Sequence, residues 1–253
     1  MIENIKMLQK EFERIKSMGY IKGIYNGSQS IGRTFENELN LLMNKECVPD
    51  YFGIEIKTRR AYTKSRITLF SAVPNGSTQG EMKRLLATYG YPYRRDRNYN
   101  ALYAVVDAVK MSFGGRYYQY KLDVDRRERR IYLCIYDRNG NLIERKIYWS
   151  YPYLKEKLEN KIKHLAIVKA WPNNIDGWNY FKYSSIEFYV LKRFNKFIDL
   201  IVDGTIKLVI RVDIYLDENN YGKMYDHGCG FQISYDNITK LFFVLDLETK
   251  KLK

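Results

Sequence analysis

The sequence predicts an α/β fold of the mixed α+β kind, a mixed sheet flanked by helices, and three observations predict it. Apolar residues recur at helical spacing near the N-terminus and again over residues 32–43. A short strand of period two follows at residues 54–57, with a second β-prone run at residues 66–70. From Ala104 to Tyr148 the chain is strand-rich, and further helical segments come after it. Periods of 3.6 and 2 are the signatures of a helix face and a strand face turned to a core.

The first helix carries Ile5, Leu8, Phe12 and Ile15 on one stripe and ends near Gly19, so this start is not a signal peptide. A second helix opens at Gly32 and places Phe35, Leu39, Leu42 and Met43 on one stripe, with Glu36 flanking it. In the strand after it, Ile54 and Ile56 share one face while Glu55 and Lys57 share the other. The run 66–70 is bounded by Ser65 and by Pro74-Asn75-Gly76-Ser77, and a short helix from about Glu81 to Tyr89 comes next. Alternation continues at residues 118–122 and 131–135. Just beyond the second of these runs, Asp137 to Asn141 reads as a hairpin turn, because Asn139-Gly140 accepts the positive φ of type I′. A helix after Pro152, a buried strand at residues 165–168, a long helix from about Ser185 to Val202 and a strand over residues 205–215 complete the order.

Composition narrows the function. With 43 Lys+Arg against 29 Asp+Glu the net charge is +14, an excess that argues for a polyanionic partner. A membrane surface is the rival, but the chain has no basic amphipathic helix and no long apolar run. Three cysteines (Cys47, Cys134, Cys229) are odd in number and lack metal-ligand spacing, which fits a reducing cytoplasm. At 253 residues the chain can form one large or two small domains, with no repeats or obvious linkers. Its 24 tyrosines serve core and surface alike. No Ser-His-Asp triad, zinc site or phosphate-cradling glycine loop is present.

The chemistry concentrates at Pro49-Asp50 and Glu55-Ile56-Lys57. Two nearby carboxylates suit a hard divalent cation such as Mg²⁺. A lysine beside them can position an attacking water or support charge on a phosphate in flight. The same spacing also occurs in ordinary edge strands, where an ion pair or a solvated face explains it. Glu36 has two readings as well, as a reach toward this site or as a helix-start glutamate favoured by the dipole. Residues 90–99 interleave arginine with tyrosine, either as a phosphate-tracking loop or as a solvated loop with its tyrosines laid on the domain. Of two histidines, His164 precedes a buried strand and reads as structural. His227 lies in a Gly-rich loop behind Lys223, where backbone can approach a ligand.

Taken in order, residues 30–36, Pro49-Asp50 through Thr58, Lys64-Ser65 with Thr68-Leu69-Phe70, Tyr148-Trp149-Ser150, Ile210-Arg211 and Asp226-His227-Gly228 resemble the MvaI/BcnI-type restriction endonucleases. The resemblance implies a PD-(D/E)XK nuclease core, two lobes forming a DNA cleft, and Mg²⁺-dependent cutting of double-stranded DNA at a short, CC-x-GG-like site. It implies one compact nuclease over residues 1–253, with a catalytic lobe over about 1–120 and a DNA-recognition lobe over 121–253. It also implies a cytoplasmic monomer with a cognate DNA methyltransferase in the same cell. Under it, Asp50, Glu55 and the Ile56 carbonyl hold the metal, Lys57 is the catalytic lysine and Glu36 the acid of the leading helix. Arg211, His227, Lys64, Lys223 and Gln232 are its DNA-contacting positions. Glutamine at 232, where family members can carry arginine, suits adenine rather than guanine. Two other activities share these residues: a mismatch-repair-like or structure-directed nicking endonuclease, and a catalytically inactive DNA-binding protein.

Overall fold

A computed structural model describes residues 1–41, 49–75, 79–249 and 251–252. Leu42, Met43, Cys47, Gly76 and Ser77 lie outside the described residues. In chain order the elements begin α1 (Ile2–Ser17), β1 (Tyr20–Lys22), α2 (Ser30–Glu38), β2 (Glu55–Arg60) and β3 (Arg66–Ser71). Then come α3 (Gln79–Tyr89), β4 (Tyr91–Pro92), β5 (Asn100–Val106), β6 (Ser112–Gly114), β7 (Tyr118–Asp125), β8 (Arg130–Tyr136) and β9 (Leu142–Ser150). The chain continues with α4 (Tyr151–Ile162), β10 (His164–Ile175), β11 (Trp178–Leu191), α5 (Phe194–Val202), β12 (Ile206–Ile214) and β13 (Met224–Ser234). It closes with α6 (Ile238–Leu241), β14 (Phe242–Asp246) and β15 (Lys251–Leu252). No helix among the described residues is long and apolar enough to cross a membrane.

The chain divides into two compact units, and both are discontinuous in sequence. One comprises Met1–Ser65, Leu158–Lys192 and Ile238–Lys253; the other comprises Arg66–Lys157 and Arg193–Asn237. This differs from lobes split near residue 120, because long-range strand pairing sends the chain back and forth between the units.

The first unit is built on a sheet of order β15-β14-β11-β10-β2, with β1 also paired to β11. β2 runs parallel to β10, with Glu55 opposite Leu165 and Lys57 opposite Ile167, whereas β10 and β11 are antiparallel. The sheet is therefore mixed. Ile5, Leu8, Phe12 and Ile15 of α1 are all buried, as their stripe requires. Phe35 of α2 is fully buried between Phe12 and Tyr183, its ring centroid 5.0 Å from that of Tyr183. Burying one such ring contributes roughly 1.5–3 kcal/mol. The Tyr183 hydroxyl donates to the Ile31 carbonyl at 2.8 Å, which fixes α2 to β11 by a polar contact as well. Gly32 lets α2 lie close on β2, since a Cβ there would come within 3.0 Å of Thr58 Oγ1.

The second unit holds an antiparallel sheet of order β3-β13-β12-β5-β4 and a meander β6-β7-β8-β9. Its core is aromatic: Phe70, Phe197 and Phe231 form a mutual cluster, with Trp149 edge-on to Phe231. Glu144 is buried here and satisfied by Arg84, at 3.0 and 2.5 Å, and by the Tyr89 hydroxyl at 2.6 Å. Burial pushes its carboxyl toward the neutral form. The two hydrogen-bonding partners outweigh that and leave its pKa below the usual value.

Several sequence expectations change. Residues 185–191 are strand, not the start of the long helix, and α5 begins only at Phe194. Their β-branched and aromatic residues pair with β10, so tertiary pairing overrides the helical spacing. Asp226-His227-Gly228 lies within β13 rather than in a loop. The strand at residues 66–70 forms, yet it pairs with β13 in the second unit; the neighbour of β2 is β10. Residues 131–135 are buried on both faces instead of alternating. In the 137–141 turn only Gly140 has positive φ (85°), and its N–H bonds the Asp137 carbonyl at 3.2 Å. That is a type I turn followed by a left-handed glycine, not type I′.

Candidate active site

The motif residues are brought together by a two-residue hairpin. Tyr51 and Ile54 exchange backbone hydrogen bonds of 2.9 and 2.8 Å, and between them Phe52 (φ 44°) and Gly53 (φ 86°) are both left-handed. Two successive positive φ values define a type I′ turn, whose twist matches that of the strands it joins. Asp50 and Glu55 are the residues just outside the Tyr51–Ile54 pair, so the turn sets them across from one another. Asp50 Oδ2 accepts the Ile56 N–H at 2.8 Å, which ties the first carboxylate to the strand bearing the second. The turn is anchored from α1 by Asn4, whose amide donates to the Phe52 carbonyl at 3.0 Å.

Ile54 and Ile56 face the core, and Glu55 projects to the other side with only 1% of its side chain exposed. Lys57, two residues on, pairs with Glu55 Oε1 as the period-two reading requires. Lys161 from the last turn of α4 lies 2.8 Å from Glu55 Oε2 and 4.0 Å from Asp50 Oδ1. Burial raises the Glu55 pKa, and the nearby Asp50 charge adds to the rise; Lys57 and Lys161 oppose it. All four side chains line one cavity of about 440 Å³, together with Glu36, Arg33, Thr58 and Ile56. Glu36 is held by Arg33, with Nη1 to Oε2 at 3.1 Å. Asp50, Glu55, Lys57, Glu36 and Ile56 are therefore gathered in one place.

Lys161 and Arg33 were missed by sequence reasoning. Arg33 is adjacent to the acidic helix residue and was legible in principle. Lys161 had no signal, because its place in the cavity depends on the pairing of β10 with β2.

The donor set fits a hard divalent cation. It offers two carboxylates and a backbone carbonyl, all oxygen, and no sulfur or imidazole. Among the described residues no three His, Cys, Asp or Glu side chains cluster closely enough to hold a metal by themselves. Such a site leaves coordination positions for water and substrate oxygen, as is usual for Mg²⁺.

Residues 9–242 match the MvaI/BcnI restriction endonuclease family. The chain belongs to that family. Among solved structures it is similar to restriction endonuclease MvaI in a complex with its cognate DNA substrate, at TM-score 0.90 and 27% identity over 100% of this chain and 99% of that one. It is also similar to MvaI in the absence of DNA, at TM-score 0.60 and 26% identity, covering 96% and 97% of the two chains. No curated protein matches. As a member of the restriction endonuclease family the chain is a deoxyribonuclease, and its mixed α+β fold is that of MvaI.

Of the remaining sequence candidates Lys64 belongs to the first unit, but it is not among the residues that line the cavity. Lys64 is exposed in the connection between β2 and β3. Arg211, His227, Lys223 and Gln232 belong to the second unit. Arg211 is exposed on β12 at an irregularity in its pairing with β13. His227 Nε2 meets the buried Asp213 at 3.0 Å, and the Tyr103 hydroxyl donates to the other oxygen of that carboxylate. A carboxylate only accepts, so Nε2 carries the proton and Nδ1 remains for another partner. The imidazole lies 4.0 Å from the ring of Tyr225, which stacks on Tyr215 at 4.3 Å. Lys223 is exposed and donates to Asn220 at 3.1 Å, while Gln232 donates to Thr68 at 2.9 Å. In the arginine–tyrosine run Tyr93 is buried, while Arg94, Arg95 and Arg97 are exposed.

Proposed function

We propose that this restriction endonuclease is a Mg²⁺-dependent type II enzyme that cuts double-stranded DNA at a short specific site. The observation that carries the reading is the hairpin pairing of Asp50 with Glu55 beside Lys57 in one cavity. The net charge of +14 and the likeness to a structure of MvaI with cognate DNA support duplex DNA as substrate.

Asp50, Glu55 and the Ile56 carbonyl would hold the ion. When bound, it supplies Lewis-acid polarisation of the scissile phosphate and lowers the pKa of a coordinated water. The chain's own contribution is positional. Asp50 is held by the Ile56 N–H and Glu55 is locked by burial, so neither carboxylate must reorganise. Lys57, about one-third exposed, stands at the open side of Glu55, where its ammonium orients the attacking water or balances charge on the phosphoryl oxygens. Water adds to phosphorus and gives up a proton to solvent, the bond to the leaving sugar oxygen breaks, and that oxygen takes a proton from solvent. Arg33 neutralises Glu36 at the cavity wall and offers a second cationic surface to the backbone. Arg211 and His227 read base edges, in keeping with an exposed guanidinium and an imidazole fixed through Nε2 to Asp213.

The test is digestion of unmethylated phage or plasmid DNA with Mg²⁺, followed by sequencing of the fragment ends. Discrete ends sharing a short motif, lost in folded Glu55→Ala and reduced about a hundredfold or more in Lys57→Ala, are the expected result. Nicks confined to hemimethylated or mismatched sites would replace the reading with a repair-type nickase. Binding without cutting would leave a DNA-binding protein.

A further inference from the structure

Lys161 has no counterpart in the local motif, yet it is the residue that spans both carboxylates. Its Nζ lies 2.8 Å from Glu55 Oε2 and 4.0 Å from Asp50 Oδ1. The other two oxygens are taken up elsewhere: Glu55 Oε1 by Lys57, and Asp50 Oδ2 by the Ile56 N–H. The oxygens facing Lys161 are thus the pair left to hold a cation. With two carboxylates against two ammonium groups, this part of the cavity is already neutral. A divalent ion must enter against the charge of Lys161.

We propose that Lys161 is a positioning residue, a built-in counter-ion that holds the Asp50–Glu55 pair in place and is displaced when a divalent metal binds. The inference rests on the reading of those carboxylates as the metal-holding pair. A carboxylate as buried as Glu55 is costly to leave charged without a partner. Lysine suits the temporary role, because its charge sits on a flexible four-carbon stem. Lys161 is about one-fifth exposed and lines the cavity, so its head has solvent to move into. Lys57 is not equivalent: among the described residues it engages Glu55 alone, and it comes from the same strand.

Competition and scaffolding predict opposite signs. If Lys161 competes with the ion, removing its charge tightens metal binding; if it merely braces the cavity, removal loosens it. Mg²⁺ is titrated calorimetrically, without DNA, into the wild type, Lys161→Met, Lys161→Gln and Glu55→Gln. Lys161→Met should bind about tenfold more tightly, an effect of the size expected for one like charge beside the site. Lys161→Gln keeps a hydrogen bond to Glu55, protects against loss of folding, and should shift in the same direction. Thermal unfolding gives a second readout. In chelator Lys161→Met should melt below the wild type, and saturating Mg²⁺ should close or reverse that gap. Metal binding by the wild type that both Lys161 variants leave equal or weaker overturns this inference alone. No Mg²⁺ binding by any protein, with Glu55→Gln indistinguishable from the rest, overturns the metal-site reading and this inference with it.

Discussion

Replacing Gly53 by alanine tests whether the type I′ turn is what sets the two carboxylates across from each other. Gly53 has φ 86°, a conformation that an L-residue adopts at a cost of about 1–2 kcal/mol. The added Cβ would approach Met1 Cε at 3.2 Å, but a methionine tip yields easily, so backbone strain costs more than this contact. The chain can accept that strain and lose about 1–2 kcal/mol of stability, or it can open the turn. Opening breaks the Asp50–Ile56 hydrogen bond of 2.8 Å and lets Asp50 leave Glu55. Phe52 provides the opposite perturbation. It already carries positive φ, and at 67% exposure its ring returns little in burial. Asparagine is favoured at that position of a type I′ turn, so Phe52→Asn should gain a few tenths to about 1 kcal/mol. For a chain of this size each kcal/mol moves the melting temperature by roughly 2–4 °C. Calorimetric melting and single-turnover cleavage at saturating Mg²⁺ are measured for both variants. Gly53→Ala should melt lower and cut more slowly, whereas Phe52→Asn should melt equal or higher and cut normally. Unchanged melting and cleavage in Gly53→Ala, together with a destabilised Phe52→Asn, would show that the turn does not hold the site.

Glu144 gives a pH-dependent prediction. Its folded pKa lies below the ordinary 4.5, so its contribution is complete above that value and is lost as pH falls through the lowered one. Arg84 is 40% exposed, which discounts the pair; Glu144→Gln should cost about 1–2 kcal/mol at pH 7. The gap should shrink in acid, and parallel melting curves from pH 7 down to pH 3 would refute the assignment. Arg211→Ala should slow cutting at the preferred site more than it weakens binding to random duplex, by about 1–3 kcal/mol if the guanidinium meets a guanine. Cleavage of that site and of its single-base variants decides the point: equal losses on every DNA would mean that Arg211 serves the backbone or the fold.

What could be read from the sequence was local. Asp50, Glu55 and Lys57 lie within eight residues, and a turn and one strand suffice to assemble them. The α1 stripe was equally legible, since 3.6-residue spacing needs no knowledge of the partner surface. The turn itself was hidden, because phenylalanine is an uncommon occupant of a left-handed position and masked the signal of Gly53. Lys161 and the β10 neighbour of β2 were out of reach for a different reason, as both depend on pairing between distant segments. The same cause misled at residues 185–191, where Ile186, Tyr189 and Val190 fall at helical spacing but form a strand against β10. His227 was misplaced because glycines flank it, and Gly228, with φ 81°, takes up its positive φ inside a strand instead of a loop.

The discontinuity of the first unit has a consequence for synthesis. Glu55 leaves the ribosome more than a hundred residues before Lys161, and before the β10 strand on which β2 must pair. The last piece of that unit, Ile238–Lys253, supplies β14, which pairs with β11. Pairings of such wide sequence separation form late, after the chain has met the entropy cost of closing long loops. A nascent chain that has not reached β10 therefore carries Asp50, Glu55 and Lys57 without Lys161 and without the strand on which β2 pairs. The acidic turn is thus present as sequence long before its supporting sheet, and the ordering of the centre waits for Lys161 and β10.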